Sequence, residues 1–185
     1  MDYATAIKEI KNRLRLCMNG AAAADMRSHG IEYHLNFGVT AVELKRIAAE
    51  YGKDCGLACA LWKENIRECR ILATMLMPPA EMDNQLADLW LENVQFPDLA
   101  EQFSFNLLKN TDFAGELAFR WIAGQNDMGQ YCGYLILASL VRSKGQMSPR
   151  YRDELTDQAH TDLSSSCVSV RTAAQRILEI LTDQP

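Results

Sequence analysis

Apolar residues recur at intervals of three and four along most of the chain, which is the spacing that places them on one side of a helix. In the stretch FGVTAVELKRIA, residues 37–48, Leu44 and Ile47 share one side while Lys45 and Arg46 point elsewhere. No run alternates apolar and polar residues between turn signals in the way a strand does. The sequence therefore predicts an all-α fold. Helices are expected near residues 2–18, 21–29, 41–51, 55–63, 66–77, 80–93, 98–109, 112–123, 127–143, 149–162 and 165–182.

Capping and helix-breaking residues mark the ends of these predicted helices. Thr40 is placed to cap the helix that follows it, because its hydroxyl can accept a hydrogen bond from a backbone amide of the first turn. Pro78 and Pro79 end another helix. Ser148 followed by Pro149 supplies a cap and then a proline at the first helical position. The breaks therefore have local causes, and the connections are short.

Two segments suggest that the short helices form repeats. NIRECRILATML, residues 65–76, and SVRTAAQRILEIL, residues 169–181, both place a β-branched residue and an arginine at a helix start, ahead of an apolar run. This similarity predicts a curved α-solenoid of HEAT-like helical hairpin repeats with a concave binding face. An irregular helical bundle would show the same pattern and stays open as the alternative. With no linker between the helices, we expect residues 1–185 to form a single HEAT-like repeat domain.

Composition places the chain among compact intracellular proteins. It has 185 residues, and 48% of them are hydrophobic, which is ample for a buried core. Its apolar runs are shorter than the roughly 20 residues needed to span a bilayer, and its first residues lack the order of a signal peptide. We therefore expect a soluble cytoplasmic protein that does not associate with a membrane.

The cysteine and glycine patterns give no reason to expect a cofactor. The six cysteines lie among apolar residues in helical segments, so we interpret them as small buried side chains. Cys55 and Cys59 have helical spacing, but no second Cys/His pair follows them at the spacing of a zinc site. The chain also lacks a glycine-rich phosphate loop. The sequence therefore predicts no metal and no cofactor.

The net charge of −5 argues against a uniformly basic surface, although one face can still be basic. Two trios of basic residues have the spacing i, i+3 or i+4, and i+7, which forms a stripe on a helix. They are Lys8, Lys11 and Arg15, and Lys63, Arg67 and Arg70. Each stripe is either an ordinary solvated helix face or a surface that binds phosphate groups.

Three segments carry a family resemblance. YHLNFGVTAVELKRIAAEYG (33–52), LWKENIRECRILATMLM (61–77) and AFRWIAG (118–124) resemble, in this order, the DNA alkylation repair family of AlkD-like HEAT-repeat DNA glycosylases. The likeness covers roughly residues 10–180. It implies an α-solenoid whose concave face holds duplex DNA. In active members it also implies release of positively charged N3- or N7-alkylated purines without flipping of the base into a pocket.

The resemblance also implies where a site would lie. Active members place a tryptophan and, four residues later, an aspartate on one helix, and the matching stretch here, PDLAEQF, has Pro97 and Glu101. Glu101 keeps a carboxylate that can stabilise a cationic sugar, or it is an ordinary acid near a helix start. The family's phosphate-binding arginine corresponds to Tyr131. The family's C-terminal aromatic cluster would fall within residues 167–176, which contain no aromatic residue.

These residues lead to one functional hypothesis and one alternative. We expect an AlkD-like protein that binds the backbone of duplex DNA, alkylated or not, in a basic groove, with weak or absent alkylpurine glycosylase activity and Glu101 as the candidate catalytic residue. The candidate DNA-binding residues are Arg46, Lys63, Arg67, Arg70, Arg120, Tyr131 and Arg171. The alternative is a HEAT-repeat scaffold that binds a protein and no DNA, which the acidic net charge favours. The three tryptophans, Trp62, Trp90 and Trp121, are predicted to pack in the core.

Overall fold

The computed structural model describes residues 2–144 and 147–183, and the regular structure within these two stretches is helical throughout. The all-α prediction is therefore confirmed. The helices are α1 (Tyr3–Leu16), α2 (Gly20–Ser28), α3 (Ala41–Tyr51), α4 (Cys55–Trp62), α5 (Arg67–Leu76), α6 (Asn84–Leu91), α7 (Pro97–Asn106), α8 (Ala114–Ile122), α9 (Asp127–Lys144), α10 (Pro149–Asp162) and α11 (Val168–Thr182). Two short 3₁₀ turns, Pro79–Glu81 and Leu108–Asn110, lie before α6 and after α7.

The chain divides into two compact units, the first ending at Met82 and the second beginning at Asp83. In the first unit, α4 packs against α1 and α5, and α3 also packs against α5. Apolar side chains from each of these helices are fully buried, among them Ile10, Ile47, Leu61 and Leu72. The expectation that residues 1–185 form a single domain stays a prediction.

A buried carboxylate organises the loop that leads into α3. Glu68 on α5 has no exposed surface. One of its oxygens accepts a hydrogen bond from the backbone amide of Phe37 at 3.1 Å, and the other accepts from Gly38 at 3.0 Å and Val39 at 3.3 Å. The guanidinium of Arg67 adds a fourth contact at 3.2 Å. Because buried polar groups are costly unless they are paired, these contacts hold the loop on α5.

Gly38 allows this loop to lie close to the neighbouring chain. Its φ is +69°, a left-handed conformation that side chains disfavour. A Cβ atom at this position would lie 2.2 Å from the backbone oxygen of Asn19. The same segment is tied down on its other side, since the Asn19 amide donates to the carbonyl of Phe37 at 2.8 Å.

The second unit is built around the long helix α9. This helix packs against α7, α8 and α11, and α10 packs against α11. Tyr134 on α9 is buried, and its hydroxyl donates to the carboxylate of Asp162 at 2.6 Å. Burial, followed by this hydrogen bond to a carboxylate, raises the pKa of Tyr134. Cys132 and Gly133 precede Tyr134 on α9, and because both residues are small, the surrounding helices approach α9 closely there.

The three tryptophans lie in the core, as predicted. Trp62, in the first unit, is 5% exposed, and Trp90 and Trp121, in the second, are 2% and 5% exposed. The Trp90 ring lies 5.8 Å from the ring of Phe103, which in turn lies 6.2 Å from that of Trp121. The Trp121 indole also donates to the Asp88 carboxylate at 2.7 Å. Aromatic packing of this kind stabilises the helix contacts around it.

Local capping accounts for most helix starts. The Thr40 hydroxyl accepts from the Glu43 amide at 3.3 Å, and the Ser148 hydroxyl accepts from the Tyr151 amide, so both predicted caps are confirmed. The sixth helix begins later than predicted because Asp83 caps it, accepting from the Leu86 amide at 2.8 Å.

Within the described stretches, no helix is long and apolar enough to cross a membrane.

Candidate functional site

The structure brings together two of the residues that the sequence singled out. Glu101 lies on α7 and Tyr131 on α9, and both are half-buried. The Tyr131 hydroxyl donates to Oε1 of Glu101 at 2.8 Å. Pro97 begins α7, one turn before Glu101, so no aromatic ring stands at that position. The carboxylate is therefore oriented by a tyrosine hydroxyl.

Electrostatics around this pair favour a neutral tyrosine beside the carboxylate. Burial raises the pKa of Tyr131, and the hydrogen bond to Glu101 raises it further. The positive charge of Arg176, on α11, acts in the opposite direction because it favours the ionised hydroxyl. Arg176 on α11 is therefore close enough to Tyr131 to influence the ionisation of its hydroxyl group.

Further along α7 and α9 lies a cleft of about 360 Å³ with three cations among its lining residues, here called the basic cleft. Its lining residues are Phe105, Lys109, Leu135, Ala138, Ser139, Arg142, Ser143 and Arg176. No aspartate or glutamate lines the described part of this cleft, and no ion pair to Lys109, Arg142 or Arg176 is formed within residues 2–144 and 147–183. The cleft is therefore a local positive region on an acidic protein.

An aromatic side chain stands inside the basic cleft. Phe105 is 40% exposed although it lies on α7 two residues from the fully buried Phe103. The Lys109 ammonium lies over its ring, 5.7 Å from the ring centroid, which is within the range of a cation–π contact. The basic cleft thus combines cations with an accessible aromatic surface.

The two predicted arginines of the second unit are engaged by protein groups. Arg120, on α8, pairs with the Asp88 carboxylate at 2.9 Å and contacts the amide oxygen of Asn84 at 3.3 Å. Arg171, near the start of α11, donates to the backbone carbonyls of Ser165 and Ser166 at 2.5 and 3.1 Å. Neither residue lines the basic cleft.

In the first unit, the second predicted stripe is wrong as a helix face. The helix α4 ends at Trp62 and α5 begins at Arg67, so Lys63 lies after one helix while Arg67 and Arg70 belong to the next. Arg67 contacts Glu68. Arg70 is only 7% exposed, and burial lowers the pKa of its guanidinium. The stripe required one continuous helix through residues 63–70, whereas the predicted helices 55–63 and 66–77 and the structure both have a break there.

The other candidates of the first unit are more exposed. Lys63 is exposed, and Arg46, on α3, is exposed but pairs with Glu43 at 2.6 Å. The first predicted stripe, on α1, lines a cleft of about 460 Å³ together with Glu64, and Lys11 pairs with that carboxylate at 2.6 Å. A carboxylate at this cleft offsets part of its positive charge.

Sequence reasoning missed the residues that line the basic cleft. Phe105 lies four residues after Glu101, and Arg142 lies eleven after Tyr131, so each pair shares a helical face. Extending the faces of Glu101 and Tyr131 along their helices would have found Phe105 and Arg142, whereas Lys109 lies in the 3₁₀ turn after α7. Arg176 has no such signal, because its position depends on how α11 packs on α9.

The second unit also has a larger and more apolar cleft. Its volume is about 690 Å³, it lies between α8, α9 and α10, and it is lined by Phe119, Leu137 and Tyr151 among others. Within the described residues, no group of three or more His, Cys, Asp or Glu side chains could hold a metal ion. What distinguishes the α7, α9 and α11 surface is therefore its cations, its exposed ring and its paired carboxylate.

Comparisons with known proteins agree with the resemblance seen in the sequence. The family model described as DNA alkylation repair enzyme matches residues 10–180, which confirms that resemblance. A solved structure described as "a new family of proteins related to the HEAT-like repeat DNA glycosylases with affinity for branched DNA structures" is similar to this chain. The TM-score is 0.85 at 19% identity, over 100% of this chain and 77% of that one, which confirms the HEAT-like repeat fold. No curated protein matches the sequence.

Proposed function

Because the chain belongs to the DNA alkylation repair enzyme family, we propose that it binds DNA through the sugar–phosphate backbone and has weak or absent alkylpurine glycosylase activity. The basic cleft is the observation that carries this proposal. Phosphate contacts supply most of the sequence-independent affinity of a protein for DNA, and they require cations that are not already neutralised by protein carboxylates.

The charges of the second unit support this assignment. Lys109, Arg142 and Arg176 converge from the turn after α7, from α9 and from α11. With the chain at a net charge of −5, a local group of this kind attracts a polyanion to one place instead of coating the protein with it. In the first unit, Lys63 is an exposed candidate for phosphate contacts, whereas Arg46 is exposed but already paired with Glu43. The affinity for DNA attributed to the structural neighbour is in keeping with such a role.

The arrangement of Glu101 supports weak or absent excision. One carboxylate oxygen already accepts the Tyr131 hydroxyl, which reduces the negative charge available to a developing sugar cation. Pro97 offers no aromatic ring to pack on a sugar, and the described residues of α11, Val168–Thr182, contain no aromatic side chain. This chain therefore lacks most of the contacts that the family resemblance implies for stabilising the transition state in active members.

The binding proposal is tested by titrating a fluorescently labelled duplex at two salt concentrations. We expect affinity that falls steeply with salt, and a salt dependence whose slope falls by about one for each cation removed in Arg142→Gln and Arg176→Gln. Arg150→Gln is the matched control, because Arg150 is an exposed arginine of the same unit that lies outside the basic cleft. Equal affinities for the three variants and the wild type would reject the cleft as the binding surface.

Excision is tested separately by following release of 7-methylguanine and 3-methyladenine from alkylated duplex DNA. We expect no release, or release slow enough that Glu101→Gln changes it little. Rapid release that Glu101→Gln abolishes would contradict the proposal and would make Glu101 a catalytic residue. If no DNA binds even at low salt, the alternative of a protein-binding scaffold takes its place.

A further inference from the structure

We infer that the basic cleft holds an unpaired DNA base, stacked on the ring of Phe105, so that the preferred ligand is a duplex with a single-stranded end. This inference rests on the proposed DNA-binding function and adds the class of DNA. It is carried by the position of an exposed ring among three cations.

The ring of Phe105 is placed as a stacking surface. Its neighbour Phe103 is fully buried between Trp90 and Trp121, whereas Phe105 turns outward into the cleft with 40% of its surface exposed. Stacking on an aromatic side chain tolerates any base, because every base has a π-face. An exposed phenylalanine in a group of cations matches the combination that single-stranded nucleic-acid sites use.

The α9 side of the cleft carries small residues. Ala138 and Ser139 line the cleft there, and neither has a bulky side chain. The cleft volume of about 360 Å³ is within the range of about 300–1,000 Å³ that is common for small-ligand sites. Leu135 adds an apolar side chain to the lining, and Ser139 and Ser143 add hydroxyl groups.

The cations fix where the phosphates would lie. The Lys109 ammonium is 5.7 Å from the Phe105 centroid, and Arg142 and Arg176 line the same cleft. A nucleotide whose base occupies this cleft therefore has its own phosphate, or the adjacent one, within reach of a positive charge. Charge and stacking thus act on one nucleotide.

A continuous duplex cannot use the ring in this way. Inside a duplex the bases are stacked on one another, so their edges and the backbone reach a protein but their π-faces do not. A protein that takes a base out of the stack has to supply the unstacking energy. A single-stranded overhang presents a base whose π-face is already free. The cations would bind either form of DNA, whereas Phe105 would distinguish them.

The experiment compares two labelled duplexes that differ only in a short overhang, one of thymidines and one of abasic residues. Fluorescence anisotropy gives the Kd of each for the full-length protein. We expect the wild type to prefer the thymidine overhang by about tenfold, the size of one base–aromatic stack. Phe105→Leu should bring the ratio of the two Kd values to about one, whatever its effect on the affinity for both DNAs, and Phe105→Tyr should keep the ratio of the wild type. Tyr151→Leu is the control, since Tyr151 is an exposed ring of another cleft in the same unit.

Each outcome separates this inference from the proposed function. Equal affinity of the wild type for the two overhangs would overturn the inference while leaving backbone binding intact. A preference that survives in Phe105→Leu would overturn it too, because the base would then stack elsewhere. Failure to bind any of the DNAs at low salt would remove the proposed function itself. Thermal unfolding of each variant confirms that the comparison is between folded proteins.

Discussion

Two glutamates, one in each unit, occupy opposite kinds of surroundings. Glu68 is fully buried, and its two oxygens accept from three successive backbone amides and the Arg67 guanidinium. Glu101 is half-buried and accepts from the Tyr131 hydroxyl. A carboxylate that is saturated by its own chain has no capacity left for a ligand, whereas one with a single donor keeps some. The comparison assigns Glu68 to folding and leaves Glu101 as a candidate for the site.

The contrast between the roles of Glu68 and Glu101 is tested most directly by neutralising each carboxylate. Glu68→Gln places an amide NH₂ group among hydrogen-bond donors, so we expect a loss of about 4 kcal/mol in the free energy of unfolding. Glu101→Gln, the matched control, should cost less than about 1 kcal/mol, because the amide oxygen can still accept from Tyr131. Urea unfolding followed by circular dichroism measures both values. Equal losses would show that the two carboxylates have the same structural role.

A second test acts on the loop that Glu68 holds. In Gly38→Ala the left-handed backbone is strained, and the new methyl group overlaps the backbone oxygen of Asn19, so we expect a loss of about 3 kcal/mol. Gly30→Ala is the control, since Gly30 also has a positive φ but has nothing within 4 Å of the added Cβ. It should cost about 1 kcal/mol. Thermal unfolding of the two variants distinguishes overlap from backbone strain, and similar losses would remove the close approach as the cause.

The sequence predicted the helices well because their limits have local causes. The third and tenth helices match the predicted ranges 41–51 and 149–162, where Thr40 and Ser148 supply caps that can be read without tertiary information. The last helix begins at Val168 instead of residue 165, because the Ser165 hydroxyl accepts from the Cys167 amide and forms a turn there. Such side-chain turns compete with helix formation, and spacing alone does not reveal them.

The candidate site was predictable only in part. The pairing of Glu101 with Tyr131 joins positions that the family resemblance had named separately. The cations at the basic cleft come from segments as far apart in sequence as Lys109 and Arg176, and they meet only through the packing of α9 on its neighbours. The role of Glu68 was also missed, because a glutamate inside an apolar helix gives no sign of the loop whose amides it binds.

The smallest expected effect is that of Tyr131→Phe, which removes the donor to Glu101. Near neutral pH we expect a loss of about 1 kcal/mol in stability. The pKa of Tyr131 is raised in the folded protein above its ordinary value of 10.0. Its contribution is therefore fully present below pH 10.0 and is lost at higher pH, where the hydroxyl ionises in the unfolded chain but not in the folded one.

The measurement is the stability difference between wild type and Tyr131→Phe as a function of pH. The difference should shrink above pH 10.0, because only the wild type carries this hydroxyl. A difference that stays constant through the alkaline range would mean that Tyr131 has an ordinary pKa in the folded protein and is not coupled to Glu101.

The distribution of the buried tryptophans gives each unit its own optical reporter. Trp62 is the sole tryptophan of the first unit, and Trp90 and Trp121 belong to the second. All three indoles leave an apolar environment when their unit unfolds, so their emission shifts as each unit opens. Trp62→Phe leaves fluorescence that follows the second unit, and replacement of the other two leaves fluorescence that follows the first. Coincident transitions would mean that the 185 residues unfold as one cooperative body, and separated transitions would give each unit a stability of its own.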